Sequence, residues 1–412
     1  MTYLETAVMI GRQITGSAIW HDGRCTWVGA MPEEGPAGPR MSYASFGPDL
    51  YSGSAGVALT LAELHAASGE PLFWTAALGA IEHALSRVDD LPPGTSQSIY
   101  TGRLGVAVAA ARIGSLLGRP DLGERGAALG RDLSPCTEPA ENDLLAGRAG
   151  AIIGLLVLNA MTGEDVLVQK SAKIGEQLMN AGIREAQTLS WPSPSLPGQP
   201  RLTGFSHGAA GIGHALLELH RATGDHRFRV GAEDAFGYER GLYNAEARNW
   251  PDLREATTPG TQPNGGPTYA LQWCHGAPGI ALSRLQATEL LADPQIRSEA
   301  VTALETTRDT VQAGLHTGNY SLCHGLAGNA EILIEGEPLL DGESGSLART
   351  IALAGIQTYG GPGRVWPGGV PGGHTASLFL GLAGTAYFYL RLNNPAVPSV
   401  LLMRPEQFAA DP

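Results

Sequence analysis

Seven short segments of the chain share one pattern: a large apolar residue, two further residues, then Gly-x-x-Gly and an apolar run. The residues that follow, as in 58–64 and 215–219, are strong helix formers and apolar on nearly every side, which is typical of buried helices. Segments between them, such as 171–181 and 299–314, are amphipathic, as outer helices are. The first glycines of the seven segments are Gly53, Gly102, Gly147, Gly208, Gly276, Gly325 and Gly381.

Seven buried helices alternating with seven amphipathic ones predict an all-α fold, an (α/α)7 toroid in which the inner helices start at one end of the axis. The spacing of 45 to 68 residues between first glycines holds two helices and their connections. Glycines there let backbones approach closely and leave amide N–H groups facing a cavity. We expect a single domain over 1–412, with ring repeats over about 40–392 and a loosely attached C-terminal tail over 393–412.

Composition narrows the function classes. The net charge of -13 disfavours nucleic acids and anionic membranes as partners. The sequence contains no apolar stretch long enough to span a membrane, and its start is a poor signal peptide. Four cysteines in 412 residues without an export signal indicate reduced thiols. We therefore expect a cytoplasmic protein.

Two of the four cysteines, Cys274 and Cys323, lie two residues before the first glycine of their repeats, and each is followed by a histidine. Cysteine and imidazole ligands favour zinc over magnesium or calcium. Both cysteines together with His275 or His324 predict a zinc site of two thiolates and one imidazole, with one open position. The spacing does not choose between the histidines. The alternative is that both cysteines are small buried apolar residues.

Such a site suits the activation of a substrate thiol, because metal binding lowers the thiol pKa and keeps the thiolate at neutral pH. Attack of that sulfur on an α,β-unsaturated amide would form an enolate, which needs a proton. His207, one residue before Gly208, is the candidate acid because it should face the same cavity. It could instead cap a helix. Asp143, four residues before Gly147, is an N-terminal cap or a partner of that acid.

Three long loops lead into inner-helix starts and could surround the mouth of the cavity: 187–203, 246–269 and 360–374.

The motifs resemble those of the LanC-like lanthionine cyclases over almost the full length, and most of all the cyclase domain of class II lanthipeptide synthetases. The shared segments are DLYSGSAGVAL, GFSHGAAGIGHALLELHRATGD, the 238–240 and 249–254 stretches, WCHGAPGIALSRL, SLCHG and LFLGLAG. The fold of that family is an (α/α)7 toroid. The resemblance implies Cys274, Cys323 and His324 as zinc ligands.

The resemblance also implies His207 as the acid/base group and Asp143 as its acidic partner. His275 falls where some cyclases carry a tyrosine close to the zinc, so it is a further catalytic candidate. Ala270 departs from the pattern, because some members carry an active-site arginine there. Arg284 and Arg364 are the candidates to replace it.

By resemblance, the expected activity is cyclisation of a dehydrated ribosomal precursor peptide. Cysteine thiols would add to dehydroalanine or dehydrobutyrine and form lanthionine or methyllanthionine rings. A chain of 412 residues leaves no room for a dehydratase domain, so a separate dehydratase is expected. Two alternatives are addition of glutathione to dehydroamino acids, and a non-catalytic scaffold that binds a peptide.

Overall fold

The computed structural model describes residues 1–35, 38–92, 97–133, 140–254, 267–315, 318–340, 342–361 and 363–409. In chain order the helices are α1 (Tyr3–Gly16), α2 (Ser54–Ser68), α3 (Pro71–Ser86), α4 (Arg103–Leu117), α5 (Pro120–Arg131), α6 (Arg148–Thr162), α7 (Asp165–Ala181), α8 (Ala209–Thr223), α9 (His226–Arg240), α10 (Ala277–Leu290), α11 (Pro294–Ala313), α12 (Leu326–Glu335), α13 (Glu343–Tyr359), α14 (Leu382–Asn393) and α15 (Pro405–Phe408). Three antiparallel hairpins are formed by β1 (Ile19–His21) with β2 (Arg24–Thr26), β3 (Val28–Gly35) with β4 (Gly38–Ser45), and β5 (Ile183–Glu185) with β6 (Thr188–Ser190).

The helices form two concentric rings, so the predicted (α/α)7 toroid is confirmed for the described part of the chain. The even-numbered helices α2 to α14 are the inner ring, and each packs against the next until α14 closes on α2. Their side chains are buried on nearly every side, as the apolar sequence runs predict. The odd-numbered helices α3 to α13 each pack outside the inner helix that precedes them.

The seventh outer helix comes from the start of the chain. α1 lies before the expected ring repeats and packs along α14, which completes the outer ring. Its residues Ala7, Ile10 and Ile14 are fully buried, so one face of α1 belongs to the core.

The C-terminal tail is not loosely attached, contrary to the expectation. Val400, Leu401 and Leu402 are buried. The Trp273 indole N–H donates to the Leu401 carbonyl at 3.0 Å, and the Tyr100 hydroxyl donates to the carbonyl of Val400 at 3.2 Å. The tail therefore returns into the ring and supports the residue that precedes Cys274.

Glycine is required at the second position of each Gly-x-x-Gly because the inner helix starts against the segment before it. A Cβ atom at Gly211 would lie 1.9 Å from the Phe205 carbonyl oxygen, and one at Gly279 would lie 2.1 Å from that of Trp273. The first amides of these helices are also used. Arg148 N–H, for example, donates to the Glu141 carbonyl at 3.0 Å. Contrary to the expectation, that amide does not face the cavity.

Backbone hydrogen bonds join neighbouring repeats at the positions just before the first glycines. They bring the start of each inner helix next to that of another repeat, so side chains at equivalent positions face one central cavity. The N–H to carbonyl pairs are Tyr51 to Tyr100, Leu145 to Ser206, Ser206 to Cys274, Trp273 to Cys323, Cys323 to Phe379 and Phe379 to Tyr51, at 2.9 to 3.2 Å.

Arg284 lies inside the protein wall and not at the cavity. Its side chain is 0% exposed and pairs with Glu239 at 3.1 Å and with Glu299 at 2.8 Å, above the ring of Phe236. Arg284 therefore joins α9, α10 and α11 and is not available to a substrate.

Arg284→Ala should lower the free energy of unfolding by about 3–5 kcal/mol, because it leaves the buried carboxylate of Glu239 without its cationic partner. Urea unfolding followed by circular dichroism measures this. The matched control is Arg248→Ala, whose half-exposed pairs with Glu305 and Asp309 should contribute less than about 1 kcal/mol. Equal losses in the two variants would contradict a stabilising role for the buried cluster.

No helix in the described residues is both long and apolar enough to cross a membrane.

Candidate active site

The inner-helix starts surround a cavity of about 710 Å³, within the usual range of small-molecule sites. Tyr51, Leu145, Ser206, Cys274 and Cys323 all occupy the position two residues before the first glycine of their repeats, and all line it. The other lining residues in the described chain are His207, Arg254, Gln272, Trp273, Asn319, His324, Gly368, Gly369 and Pro371.

The two cysteines lie three residues before adjacent inner helices, α10 and α12. The Trp273 N–H donates to the Cys323 carbonyl at 2.9 Å, which places Cys274 beside Cys323. The Cys323 thiol hydrogen-bonds the Cys274 sulfur, which lowers the pKa of Cys274 and raises the pKa of Cys323 well above its usual range. The two sulfurs are therefore in direct contact.

Gly276 shapes the turn that carries Cys274. Its φ of +85° lies in the left-handed region, and a Cβ atom there would stand 1.7 Å from the Ala270 carbonyl oxygen. Asn249 fixes the same turn, because its side-chain oxygen accepts from the Ala277 N–H at 2.7 Å and its amide donates to the Ala270 carbonyl at 3.0 Å.

His324 lines the cavity next to Cys323. Its Nε2 lies 2.7 Å from the Gly369 carbonyl oxygen. Since a carbonyl only accepts, Nε2 carries the proton and Nδ1 keeps a free lone pair. A backbone carbonyl that orients the second ring nitrogen is the usual environment of a metal-binding histidine.

The donor chemistry of these three residues fits zinc: two cysteine sulfurs in contact and one imidazole nitrogen with its lone pair free. Within the described residues, however, no group of three or more His, Cys, Asp or Glu side chains is close enough to hold a metal ion in the present geometry. Zinc binding is therefore part of the proposal below.

His207 and Asp143 form a pair at the cavity wall, from the starts of α8 and α6. The Nδ1 of His207 donates to Asp143 Oδ2 at 2.8 Å, while Asp143 Oδ1 accepts from the Ala146 N–H at 2.7 Å. Burial lowers the pKa of His207, but the hydrogen bond and charge of Asp143 outweigh it, so the net pKa is raised. The His207 side chain is 27% exposed, and no described residue forms a hydrogen bond with its Nε2.

The turn that carries His207 is held from behind by Glu239 of α9. The carboxylate accepts from the Gly204 N–H at 2.9 Å and from the Ala210 N–H at 3.0 Å. The buried Arg284 pairs with the same carboxylate. These contacts fix both ends of the segment that presents the histidine.

His275 lies behind His207 and does not line the cavity. It is 1% exposed, and the two imidazole rings stack with centroids 5.6 Å apart. Burial lowers the pKa of His275 to about 3, so this ring is neutral. Its direct role in chemistry stays a prediction.

Arg364 is exposed in the 360–374 loop, whereas Arg254 reaches the cavity from the 246–269 loop. Of the three expected rim loops, these two contribute lining residues, through Arg254 and through Gly368, Gly369 and Pro371. No lining residue comes from the 187–203 loop in the described chain, and positions 255–266 of the second loop lie outside the described residues.

Sequence reasoning missed Tyr51 and Arg254. Tyr51 holds the repeat position of the two cysteines, so the alignment of repeats contained its signal. Burial raises the pKa of Tyr51 well above its usual range, and the charge of Cys323 adds to this. Arg254 ends the 249–254 stretch but has no repeat position, so only the folded loop reveals it.

The match to a family model decides the family. Residues 44–402 match the model described as lanthionine synthetase C-like protein. The chain belongs to this family. Glutathione S-transferase LANCL1 of Danio rerio is 25% identical over 84% of this chain and 82% of its own length. The nisin biosynthesis protein NisC of Lactococcus lactis subsp. lactis is 23% identical over 69% of this chain and 72% of its own.

The solved structure of nisin cyclase supports the fold of this LanC-like protein. It superposes with a TM-score of 0.66 at 18% identity and covers 88% of this chain and 94% of its own. At that identity the likeness shows the toroidal fold alone.

Proposed function

We propose that this LanC-like protein is a zinc-dependent lanthipeptide cyclase. It adds cysteine thiols of a dehydrated precursor peptide to dehydroalanine or dehydrobutyrine. The observation that supports this most is the convergence of Cys274, Cys323 and the His207–Asp143 pair on one cavity. Thiolate ligands and a proton donor across one cavity are what sulfur addition to an unsaturated amide needs.

Cys274, Cys323 and His324 Nδ1 would hold the zinc ion. When bound, zinc would lower the pKa of the substrate thiol and hold its sulfur in the cavity. Gly369 keeps the His324 ring in place through Nε2.

His207 delivers the proton in this proposal. The carboxylate of Asp143 fixes Nδ1, so Nε2 is the nitrogen that can give a proton to the α-carbon. Since Asp143 raises the pKa of His207, the protonated form persists to higher pH than for a free histidine. A dehydratase activity would have to supply the substrate.

A second candidate is addition of glutathione to dehydroamino acids, favoured by the similarity to the protein named glutathione S-transferase LANCL1. The same cavity would take a free thiol in that case.

One competition assay separates the two functions. A peptide with one dehydroalanine and one cysteine is incubated with the protein, zinc and glutathione, then treated with N-ethylmaleimide and weighed by mass spectrometry. Cyclisation leaves the peptide mass unchanged but removes the alkylation adduct. Glutathione addition adds one glutathione and keeps the adduct. We expect loss of the adduct. If neither change exceeds the protein-free control, the cyclase function is contradicted and the scaffold function is favoured.

A further inference from the structure

Arg254 is the one permanent cation among the described residues that line the cavity. Its side chain is 37% exposed, whereas the carboxylate of its partner Asp252 is only 4% exposed. The arginine thus lies at the boundary between the protein wall and the cavity. It stands opposite no lining carboxylate in the described chain, since the lining residues include no Asp or Glu.

Asp252 holds one edge of the guanidinium. Arg254 Nε donates to Oδ1 at 3.1 Å and Nη2 donates to Oδ2 at 2.7 Å, and the Arg254 N–H donates to Oδ1 at 3.1 Å. Asp252 itself is fixed by a backbone bond from its N–H to the Thr268 carbonyl at 2.8 Å. No described residue accepts a hydrogen bond from Nη1 of Arg254. The planar guanidinium carries five N–H donors, and those on Nη1 therefore remain available for a ligand.

Arg254 faces the cavity and does not only contact Asp252. It lines the same cavity wall as Cys274, Cys323 and His207, and the carboxylate of its partner Asp252 lies 3.9 Å from Nδ1 of His275. The guanidinium therefore belongs to the site that holds the sulfur pair and the two stacked histidines.

The reaction proposed above creates negative charge on an oxygen atom to which none of the site residues assigned so far donates a hydrogen bond. The thiolate sulfur forms a bond to the β-carbon, and the π electrons of the double bond move to the amide carbonyl oxygen, giving an enolate. The proton held by His207 then goes to the α-carbon. The proton that the substrate thiol lost on ionisation returns through solvent to His207, so no atom is gained or lost overall. The intermediate oxyanion needs a hydrogen-bond donor.

We propose that Arg254 is a catalytic residue that donates hydrogen bonds from its free edge to the carbonyl oxygen of the dehydroamino acid as this oxygen becomes an enolate. This inference rests on the proposed function. A guanidinium preset by Asp252 would need little reorganisation during the reaction, which is the condition under which such donors are most effective.

Arg254→Gln should lower kcat for cyclisation about 10²–10³-fold with little change in KM, because the donor acts on charge that develops in the transition state. Arg254→Lys should recover part of the loss, and guanidinium chloride should partly rescue Arg254→Ala. A purely structural arginine would give neither response. Zinc content and circular dichroism of each variant are measured in parallel and should match the wild type.

The matched control is Arg364→Gln, an exposed arginine of the other rim loop, which should keep the wild-type rate. An unchanged kcat in Arg254→Gln would overturn the role of Arg254, and so would a loss of kcat that neither Arg254→Lys nor guanidinium chloride reverses. In both cases a normal wild-type rate would still support the cyclase function. Absence of a wild-type rate would reject the proposed function, and the role of Arg254 with it.

Discussion

Cys274→Ala and Cys323→Ala should each reduce the rate of thioether formation at least about 10³-fold, to a level near that of the peptide alone. Each variant removes one of two sulfurs that lie together because the starts of α10 and α12 are joined by the Trp273 to Cys323 hydrogen bond. The remaining sulfur and His324 form too small a ligand set to hold zinc against water. The loss is measured from the disappearance of alkylatable thiol in the dehydrated peptide.

Cys25→Ala is the control for these variants. Cys25 is also buried, but its sulfur lies 3.4 Å from the Ala76 carbonyl oxygen, outside the cavity. We expect this variant to lose some stability and keep its rate per folded molecule. Rates within a few-fold of wild type in either cavity variant would contradict a catalytic sulfur pair.

His207→Asn should lower kcat about 10²–10⁴-fold, the usual effect of removing a general acid. The asparagine can still contact Asp143 but cannot deliver a proton at neutral pH. Zinc content should be unchanged, because His207 is not a proposed ligand. Loss of zinc in this variant would indicate that His207 binds the metal.

Asp143→Asn tests whether Asp143 keeps His207 protonated by raising its pKa. Asp143 raises the pKa of His207 against the opposing effect of burial. Activity that needs protonated His207 falls as the pH rises through that pKa. In the variant the lowering effects of burial and of the Arg254 charge are no longer outweighed by Asp143, so the pKa of His207 drops and the alkaline limb of the pH–kcat profile should move to lower pH. An unmoved limb would show that His207 is not the titrating acid.

The ring architecture was readable from the sequence because each repeat must place glycine against the segment before its helix. A Cβ at Gly211 or Gly279 would overlap a carbonyl oxygen, so the glycine motif follows directly from a packing constraint. The pairing of α1 with α14 was not readable, since α1 carries no such motif. The burial of Leu401 also depends on long-range contacts with Trp273 and Tyr100.

The predicted site residues differ in how the structure places them. The repeat position brought Cys274, Cys323, His324 and His207 to one cavity, and Asp143 contacts His207. His275 shares the position of His324 and His207, one residue before glycine. However, Gly276 has a positive φ, so the turn that carries His275 is of a different kind, and the His275 ring is buried.

Arg254 shows the limit of the repeat argument. It lies in a loop, and its approach to the cavity depends on Asp252, which is fixed by a backbone bond to Thr268. Arg284 has the same side chain on an inner helix but is held by Glu239 and Glu299 within the wall. Residue type alone does not distinguish the roles of these two arginines, but their hydrogen-bond and ion-pair partners do.

The most direct test of the central claim is the zinc content of the purified protein by mass spectrometry of the metal, with Cys323→Ala and Cys25→Ala beside it. The account predicts about one zinc per chain in the wild type and in Cys25→Ala, and none in folded Cys323→Ala. A folded wild type that takes up no zinc when supplied with it, or a Cys323→Ala variant that retains zinc, would contradict the proposed thiol-activating site.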